Sequence, residues 1–326
     1  MSARGAPIGS GVPISIEEAV PVKRVLLLTH REPAVTATTL PAVLSILKDA
    51  GVQVLVPAGE VVKHRILAPF SSADGMQMRP GGEDLILVLG GDGSILRALA
   101  REAGSGAPVI GINYGRVGFL ASIERETLER DLRRALAGEY VVHGLPSLKA
   151  EWADGEVQAV NDLAIFRGGE SRIADLTYAV DGEVVATVRC DGVVMSTPVG
   201  STAYNLAAGG PTVSWRVRCF VLSFIALHHL DSRPLVIGAE ETLTVTNSAL
   251  VGDCELQADG QRIGVLGPGR SVTVGLGGAS SARSMTTRSL TSRRRITTGR
   301  TSPGSAGRRT PRGTWPGAPR RRPAPP

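Results

Sequence analysis

A glycine-rich turn is the first segment whose residue types could do chemistry. Gly90-Gly91-Asp92-Gly93 follows the apolar stretch 85–89 and precedes residues with helical spacing. Glycines let the backbone approach an anion closely, and amide groups at the start of a helix can bind phosphate. The Asp92 carboxylate could contact a hydroxyl group or a metal ion. The turn matches neither the Walker A loop nor GxGxxG, and a simple turn with an N-capping aspartate is the alternative interpretation.

A second segment is rich in hydroxyl groups and glycines. It reads STPVGSTAY over 196–204 and closes with Gly209-Gly210-Pro211. Small hydroxyl residues and free amides suit a polyhydroxylated or phosphorylated ligand, and Tyr204 could stack on a ring or simply pack. Upstream, Asn161-Asp162 begins an apolar stretch, where an amide beside a carboxylate could bind ribose hydroxyls or cap a turn.

The elements that must position these segments change in type along the chain. Apolar runs at 22–29, 52–56 and 85–89 alternate with helical spacing, which predicts β-α-β units and a parallel sheet. After Gly144 the pattern changes to short strands separated by glycine and aspartate turns. We therefore predict an α/β N-terminal domain with a parallel sheet plus a β-rich, sandwich-like C-terminal domain.

The predicted divisions are a flexible leader over 1–21, the α/β domain over 22–125, the β-rich domain over 126–274 and a disordered basic tail over 275–326.

The charge of the chain is divided unevenly. The 326 residues carry a net charge of +6, yet residues 275–326 contain twelve arginines and no Asp, Glu or Lys. The other 274 residues hold the remaining 24 basic groups against all 30 acidic ones, a net charge of −6. The basic balance therefore belongs to the tail and is not a sign that the body binds nucleic acid.

Composition also excludes several classes of protein. The longest apolar run, 219–227, is far shorter than the ~20 residues of a membrane span. Three widely separated cysteines indicate free thiols in a reducing compartment, and the low aromatic content of 4% argues against a base-stacking surface. We expect a cytoplasmic protein with no membrane association and no specific nucleic-acid partner.

Taken together in chain order, these segments resemble the NAD kinase family. The similarity covers roughly residues 22–274. The matching pieces are GGDG at 90–93, NYGRVGFL at 113–120, ND at 161–162, DG at 191–192, STPVGSTAY at 196–204 and AAGGP at 207–211. The resemblance implies transfer of the γ-phosphoryl group of ATP, or in some members of polyphosphate, to the 2′-hydroxyl of the adenosine ribose of NAD, giving NADP. It also implies homo-oligomers.

The resemblance assigns roles residue by residue. Asp92 matches the proposed catalytic base, and the phosphate loop is Gly90, Gly91 and Gly93. The expected NAD contacts are Asp92, Gly93, Arg97, Asn161, Asp162, Arg172, Arg189, Asp191, Thr202, Ala203, Tyr204, Ala207 and Gln261. For Arg97 and Arg172, a solvated surface arginine is the alternative. Because no metal-ligand cluster is visible, Mg²⁺ is expected to arrive with ATP.

The chain also departs from the family pattern. Val199 stands where the family usually has threonine, and after Val274 the resemblance ends. The arginine-rich tail is interpreted as a polyanion-binding tail, an inert tail or, preferably, the product of an altered reading frame. Two alternative functions follow: a non-catalytic nucleotide-binding protein disabled by its C-terminus, and a lipid or sugar kinase sharing the GGDG loop.

Overall fold

The computed structural model describes residues 21–70, 84–101, 106–114, 120–169, 173–228, 233–277 and, for the backbone, 282–287. The helices are α1 (Leu40–Asp49), α2 (Ala58–Lys63), α3 (Asp92–Arg101), α4 (Leu128–Leu136) and α5 (Tyr204–Ala207). The strands are β1 (Arg24–Thr29), β2 (Gln53–Leu55), β3 (Leu85–Gly90), β4 (Val109–Asn113), β5 (Tyr140–Leu145), β6 (Leu148–Trp152), β7 (Gly155–Ala159), β8 (Asp162–Arg167), β9 (Ala174–Val180), β10 (Glu183–Cys190), β11 (Gly192–Ser196), β12 (Cys219–Ile225), β13 (Leu235–Gly238), β14 (Thr242–Asn247), β15 (Cys254–Ala258), β16 (Gln261–Leu266), β17 (Ser271–Leu276) and β18 (Ala282–Thr287). The predicted leader lies almost wholly outside the described residues, as does the chain after residue 287.

The N-terminal half forms a sheet in the order β2-β1-β3-β4-β18-β5. Strands β2, β1, β3 and β4 run parallel, and every residue of β3 is buried, as expected where helices cover both faces. Thr29 pairs with Leu89, and Gly90 pairs with Asn113. The carboxyl ends of β1, β3 and β4 therefore lie side by side at one edge of the sheet.

The C-terminal half consists of two antiparallel sheets. Their strand orders are β10-β9-β14-β17-β6-β7 and β13-β12-β11-β8-β15-β16. Alternate apolar side chains from both sheets, such as Leu163, Met195 and Val245, form one buried cluster. This arrangement is a β-sandwich, so the predicted fold class is confirmed.

One apolar cluster joins the two halves. It combines Ile95 of α3 and Leu120, which precedes the bridge residue Ile123, with Val160 and Val199 from the C-terminal half. Burial of this shared apolar surface holds the GGDG turn and the STPVG segment against a common boundary.

The residues described after 274 differ from the sequence prediction of a disordered tail over 275–326. Gly275 and Leu276 belong to β17, and residues 282–287 form β18, which pairs with β4 and β5. The prediction rested on low apolar content, whereas a strand between two neighbours is held largely by backbone hydrogen bonds. Likewise Leu132 of α4 packs in the N-terminal core, so this helix lies with the α/β half.

Within the ranges described above, no helix is both long enough and apolar enough to cross a membrane.

A glycine at the start of β11 permits a close approach between strands. A Cβ atom on Gly192 would lie 2.3 Å from the carbonyl oxygen of Ile165. Because the obstacle is backbone, we expect Gly192→Ala to lower the free energy of unfolding by roughly 3 kcal/mol, measured by urea denaturation.

Gly275→Ala is the matched control, because it is also a strand glycine and no atom of the described residues lies within 4 Å of its ideal Cβ position. Its free energy of unfolding should stay within about 0.5 kcal/mol of the wild-type value. Equal denaturation midpoints for the two variants would contradict the packing argument.

Candidate functional site

The GGDG turn connects β3 to α3 at the carboxyl edge of the parallel sheet. The amides of Ser94 and Ile95 donate to the Gly91 carbonyl at 2.8 and 3.2 Å, which starts the helix. A Cβ atom on Gly90 would lie 2.6 Å from the Ser94 side chain, so the turn requires glycine there. Asp92 Oδ1 accepts a hydrogen bond from the Leu120 amide at 3.2 Å. The carboxylate is thus directed towards the segment that packs against the C-terminal half.

The Asn161-Asp162 pair is held by a carboxylate far away in sequence. Asp259 accepts hydrogen bonds from the amides of Val160, Asn161 and Asp162 at 2.9, 2.7 and 3.2 Å. In return, the Asp259 amide donates to the Asp162 carbonyl at 2.9 Å. The family resemblance assigned only Gln261 of this part of the chain to the site, whereas the anchoring residue is Asp259, two positions earlier.

The side chain of Asn161 is poised for a ligand. Its Oδ1 atom is buried and has no hydrogen-bond partner within the described residues. Its backbone is fixed from a second side, because the Thr197 amide donates to the Asn161 carbonyl at 2.9 Å. An unpartnered buried acceptor is unfavourable, so this oxygen is well placed to accept from a hydroxyl or amide group of a bound molecule.

Asp162 has an unusual electrostatic environment. The residue is only 7% exposed. Burial, and secondly the negative charge of Asp259, raise its carboxyl pKa from 3.8 to about 7. Burial also raises the pKa of Asp259, while its three backbone donors act in the opposite direction. Two neighbouring carboxyl groups with raised pKa values are typical of functional sites.

The STPVG segment is folded onto Val160 and Asn161. Thr197 Oγ1 donates to the Val160 carbonyl at 2.6 Å and accepts from the Gly200 amide at 3.0 Å. A Cβ atom on Gly200 would lie 2.1 Å from the Asn161 carbonyl oxygen, so only glycine allows this contact. The two polar motifs therefore form one structural unit.

Sequence reasoning missed Asn205. Its buried side chain donates to the carbonyls of Ser201 and Pro211, both at 3.0 Å, and accepts from Ser223 Oγ at 2.7 Å. It thereby closes the loop that carries Tyr204. The sequence signal that could have identified Asn205 is the Gly209-Gly210 pair that follows it. Glycine is needed there because a Cβ atom on Gly210 would lie 2.0 Å from Asn205 Oδ1.

The Tyr204 ring packs against an aromatic side chain of β8. Its ring stacks on Phe166 with centroids 5.9 Å apart and planes inclined by 21°. Burial first, and then the negative charges of Asp162 and Asp191, raise the pKa of its hydroxyl. Asp191 itself pairs with Arg167 at 3.1 Å. Because Ser196 pairs with Asp162 and Gly192 pairs with Phe166, Asp162 and Asp191 lie at opposite ends of the paired strands β8 and β11, and the Tyr204 ring lies against Phe166 of β8.

The remaining predicted residues are more dispersed. Arg189 pairs with Asp175 at 2.8 Å on the exposed side of β10, and Gln261 is the exposed first residue of β16. Thr202 is half-buried, whereas Ala203 and Ala207 are exposed. Arg97 is half-buried and donates to Ser94 Oγ at 3.0 Å. Arg172 lies outside the described residues.

The side chains that the structure describes include no group of three His, Cys, Asp or Glu residues that could hold a metal ion.

Comparison with known proteins supplies the family. Residues 25–140 match the model of the ATP-NAD kinase N-terminal domain, and residues 160–282 match that of the ATP-NAD kinase C-terminal domain. The NAD kinase of Symbiobacterium thermophilum is 37% identical over 257 residues, covering 76% of this chain and 89% of the relative. That of Corynebacterium diphtheriae is 34% identical over 268 residues, covering 79% and 84%.

Solved structures agree in fold. Yeast NADH kinase complexed with NADH superposes with a TM-score of 0.73 at 22% identity, covering 85% of this chain and 88% of that one. An Archaeoglobus fulgidus NAD kinase in complex with ATP gives a TM-score of 0.64 at 27% identity, covering 81% and 93%. The resemblance inferred from the motifs is confirmed, and the chain belongs to the NAD kinase family.

Proposed function

We propose that this chain transfers the γ-phosphoryl group of ATP to the 2′-hydroxyl of the adenosine ribose of NAD, giving NADP. Membership in the family supports a kinase that acts on NAD, and it disfavours the lipid or sugar kinase alternative. The ATP complex of the Archaeoglobus relative supports ATP as donor, with inorganic polyphosphate as the second candidate. The observation that carries the proposal is the buried, unpartnered Asn161 oxygen beside the buried Asp162 carboxyl.

The acceptor nucleotide binds, in this proposal, to the unit built around Asn161. Asn161 Oδ1 accepts a hydrogen bond from one ribose hydroxyl, and the Asp162 carboxylate accepts another. The stacked Tyr204 and Phe166 offer an aromatic surface next to these groups, suited to a planar base. We assign Thr202, Ala203, Ala207, Arg189, Asp191 and Gln261 to the rim of the same site.

Chemistry takes place at the GGDG turn. Phosphoryl transfer passes through a loose transition state, so positioning and charge stabilisation supply most of the catalysis. Asp92 orients the attacking hydroxyl and takes its proton late, because a carboxylate is a weak base for an alcohol. The backbone around Gly90, Gly91 and Gly93 faces the phosphates of the donor, which enters as the Mg²⁺ complex of ATP. We further propose a cytoplasmic homo-oligomer.

Replacing the proposed base tests the catalytic assignment. Asp92→Asn retains the shape of the side chain but cannot accept the proton, so we expect kcat to fall about 10²- to 10⁴-fold with little change in the affinity for NAD. A coupled assay for NADP measures the rate, and calorimetry measures binding.

The exposed Asp154→Asn substitution, in the turn between β6 and β7, is the control and should retain wild-type rates. If the wild-type chain binds NAD without forming NADP from ATP or polyphosphate, the non-catalytic alternative replaces this proposal.

The raised pKa of Asp162 predicts a pH-dependent affinity. Near its pKa of about 7 the carboxyl is half protonated, and ribose hydroxyl donors stabilise the ionised form. The affinity for NAD should therefore increase as pH rises from about 6 to about 8, and Asp162→Asn should bind more weakly with a flat profile. Calorimetric titration across this range measures both, and a flat wild-type profile would exclude Asp162 as a titrating contact.

A further inference from the structure

The segment that follows β1 is fixed at the same edge of the sheet as the GGDG turn. Parallel pairing of β1 with β3 ends at Thr29 and Leu89, so His30 and Arg31 leave the sheet beside Gly90 and Gly91. Buried Glu60 accepts from the Thr29 amide at 3.2 Å and from its hydroxyl. Residues 30 and 31 therefore emerge from a firmly held strand end.

A lysine fixes the same segment from the other side. Lys63 Nζ donates to the carbonyls of Thr29 and His30 at 3.2 and 3.3 Å, and pairs with Glu60 at 2.7 Å. The Glu32 amide donates to His30 Nδ1 at 3.1 Å, which turns the backbone directly after Arg31. Arg31 is exposed at this held turn, so its guanidinium is available to a ligand.

A second arginine lies at the same turn. Arg97 extends from α3 back over the turn, and its Nη1 atom lies 3.8 Å from the ideal Cβ position of Gly93. Burial, and then the positive charge of Arg31, lower the pKa of Arg97. Arg97 nevertheless remains charged at neutral pH, since guanidinium pKa values lie far above 7.

Arg31 and Arg97 differ from many other arginines of the chain in their salt bridges. Arg24, Arg130 and Arg218 each pair with a carboxylate, whereas in the described ranges no salt bridge involves Arg31 or Arg97. Cationic groups at one turn, with no carboxylate partner among the described residues, suit an anionic ligand. Planar guanidinium groups bind phosphate through two parallel hydrogen bonds.

The strand order indicates which substrate carries the phosphate groups that Arg31 would bind. In the order β1-β3-β4, β1 and β4 flank the GGDG turn on opposite sides. On the β4 side, Asp92 contacts Leu120, which packs in one cluster with Val160, the residue before Asn161. The acceptor ribose is thus proposed for the β4 side, and in-line transfer requires the leaving group on the other side of the transferred phosphoryl group.

We infer that Arg31 binds the terminal phosphates of the phosphoryl donor on the β1 side of the GGDG turn, the turn that also carries Arg97, which the family resemblance assigns to NAD. The inference rests on the proposed function for the identity of the donor. The ligand chemistry is a phosphoanhydride chain with at least two phosphates. It is shared by MgATP and inorganic polyphosphate, and it would not require contacts to the adenine base.

Kinetics of the full chain test the inference. Arg31→Ala should raise KM for MgATP at least about tenfold and change KM for NAD less than about twofold, because one charge-assisted contact to the donor is lost. Arg31→Lys should recover part of the loss by restoring the charge. The control Arg65→Ala removes an exposed arginine of the 3₁₀ turn Arg65–Phe70 and should leave both constants unchanged. An increase confined to NAD, or no change in either constant, would overturn the assignment.

A binding measurement separates this inference from the proposed function. Calorimetry with inorganic tripolyphosphate and with MgATP should show weaker binding of both to Arg31→Ala by at least about tenfold, with circular dichroism confirming that the variant is folded. If wild type forms no NADP but binds tripolyphosphate through Arg31, the anion site stands and the proposed function fails. If wild type forms NADP and Arg31→Ala binds both probes as wild type does, the function stands and this inference is wrong.

Discussion

The Asp259 carboxylate, which accepts three consecutive backbone amides, is the interaction on which the candidate site depends. Asp259 adopts φ +48° in the turn between β15 and β16, and its contacts at Val160, Asn161 and Asp162 lie 97 to 99 residues away along the chain. A buried carboxylate requires such donors, and the backbone before β8 is fixed by supplying them. The STPVG segment then takes its own position from the carbonyl groups of this held backbone.

The Asp259 carboxylate also affects the ionisation of Asp162. The negative charge of Asp259 is one of the two causes of the raised Asp162 pKa, and burial is the larger one. Removing the Asp259 charge would therefore ease ionisation of Asp162, but it would also free the amides that orient Asn161. Structural support and electrostatic tuning thus come from one side chain, which makes Asp259 a positioning residue and not merely a turn former.

Much of the fold was predictable because it follows from local patterns. Apolar runs that alternate with helical spacing specify the parallel sheet, and the GGDG turn does end β3 and begin α3. Long-range contacts were not predictable in the same way, since nothing near Asp259 in sequence identifies the three amides that it binds. Strand β18 was not predicted, for a related reason. Its pairing with β4 and β5 is made by backbone groups, which the amino-acid composition does not reveal.

Val199 shows how a departure from the family pattern can be accommodated. Where the family usually has threonine, this valine is 4% exposed and packs in the cluster that joins the two halves, together with Ile95 and Leu120. A methyl group in place of a hydroxyl adds apolar contact there and leaves no buried donor to satisfy. The hydrogen bonds that shape the loop come instead from Thr197 and Ser201, which are both present. The substitution therefore strengthens the apolar contact between α3 and the STPVG segment, and it leaves the polar groups that hold this segment unaltered.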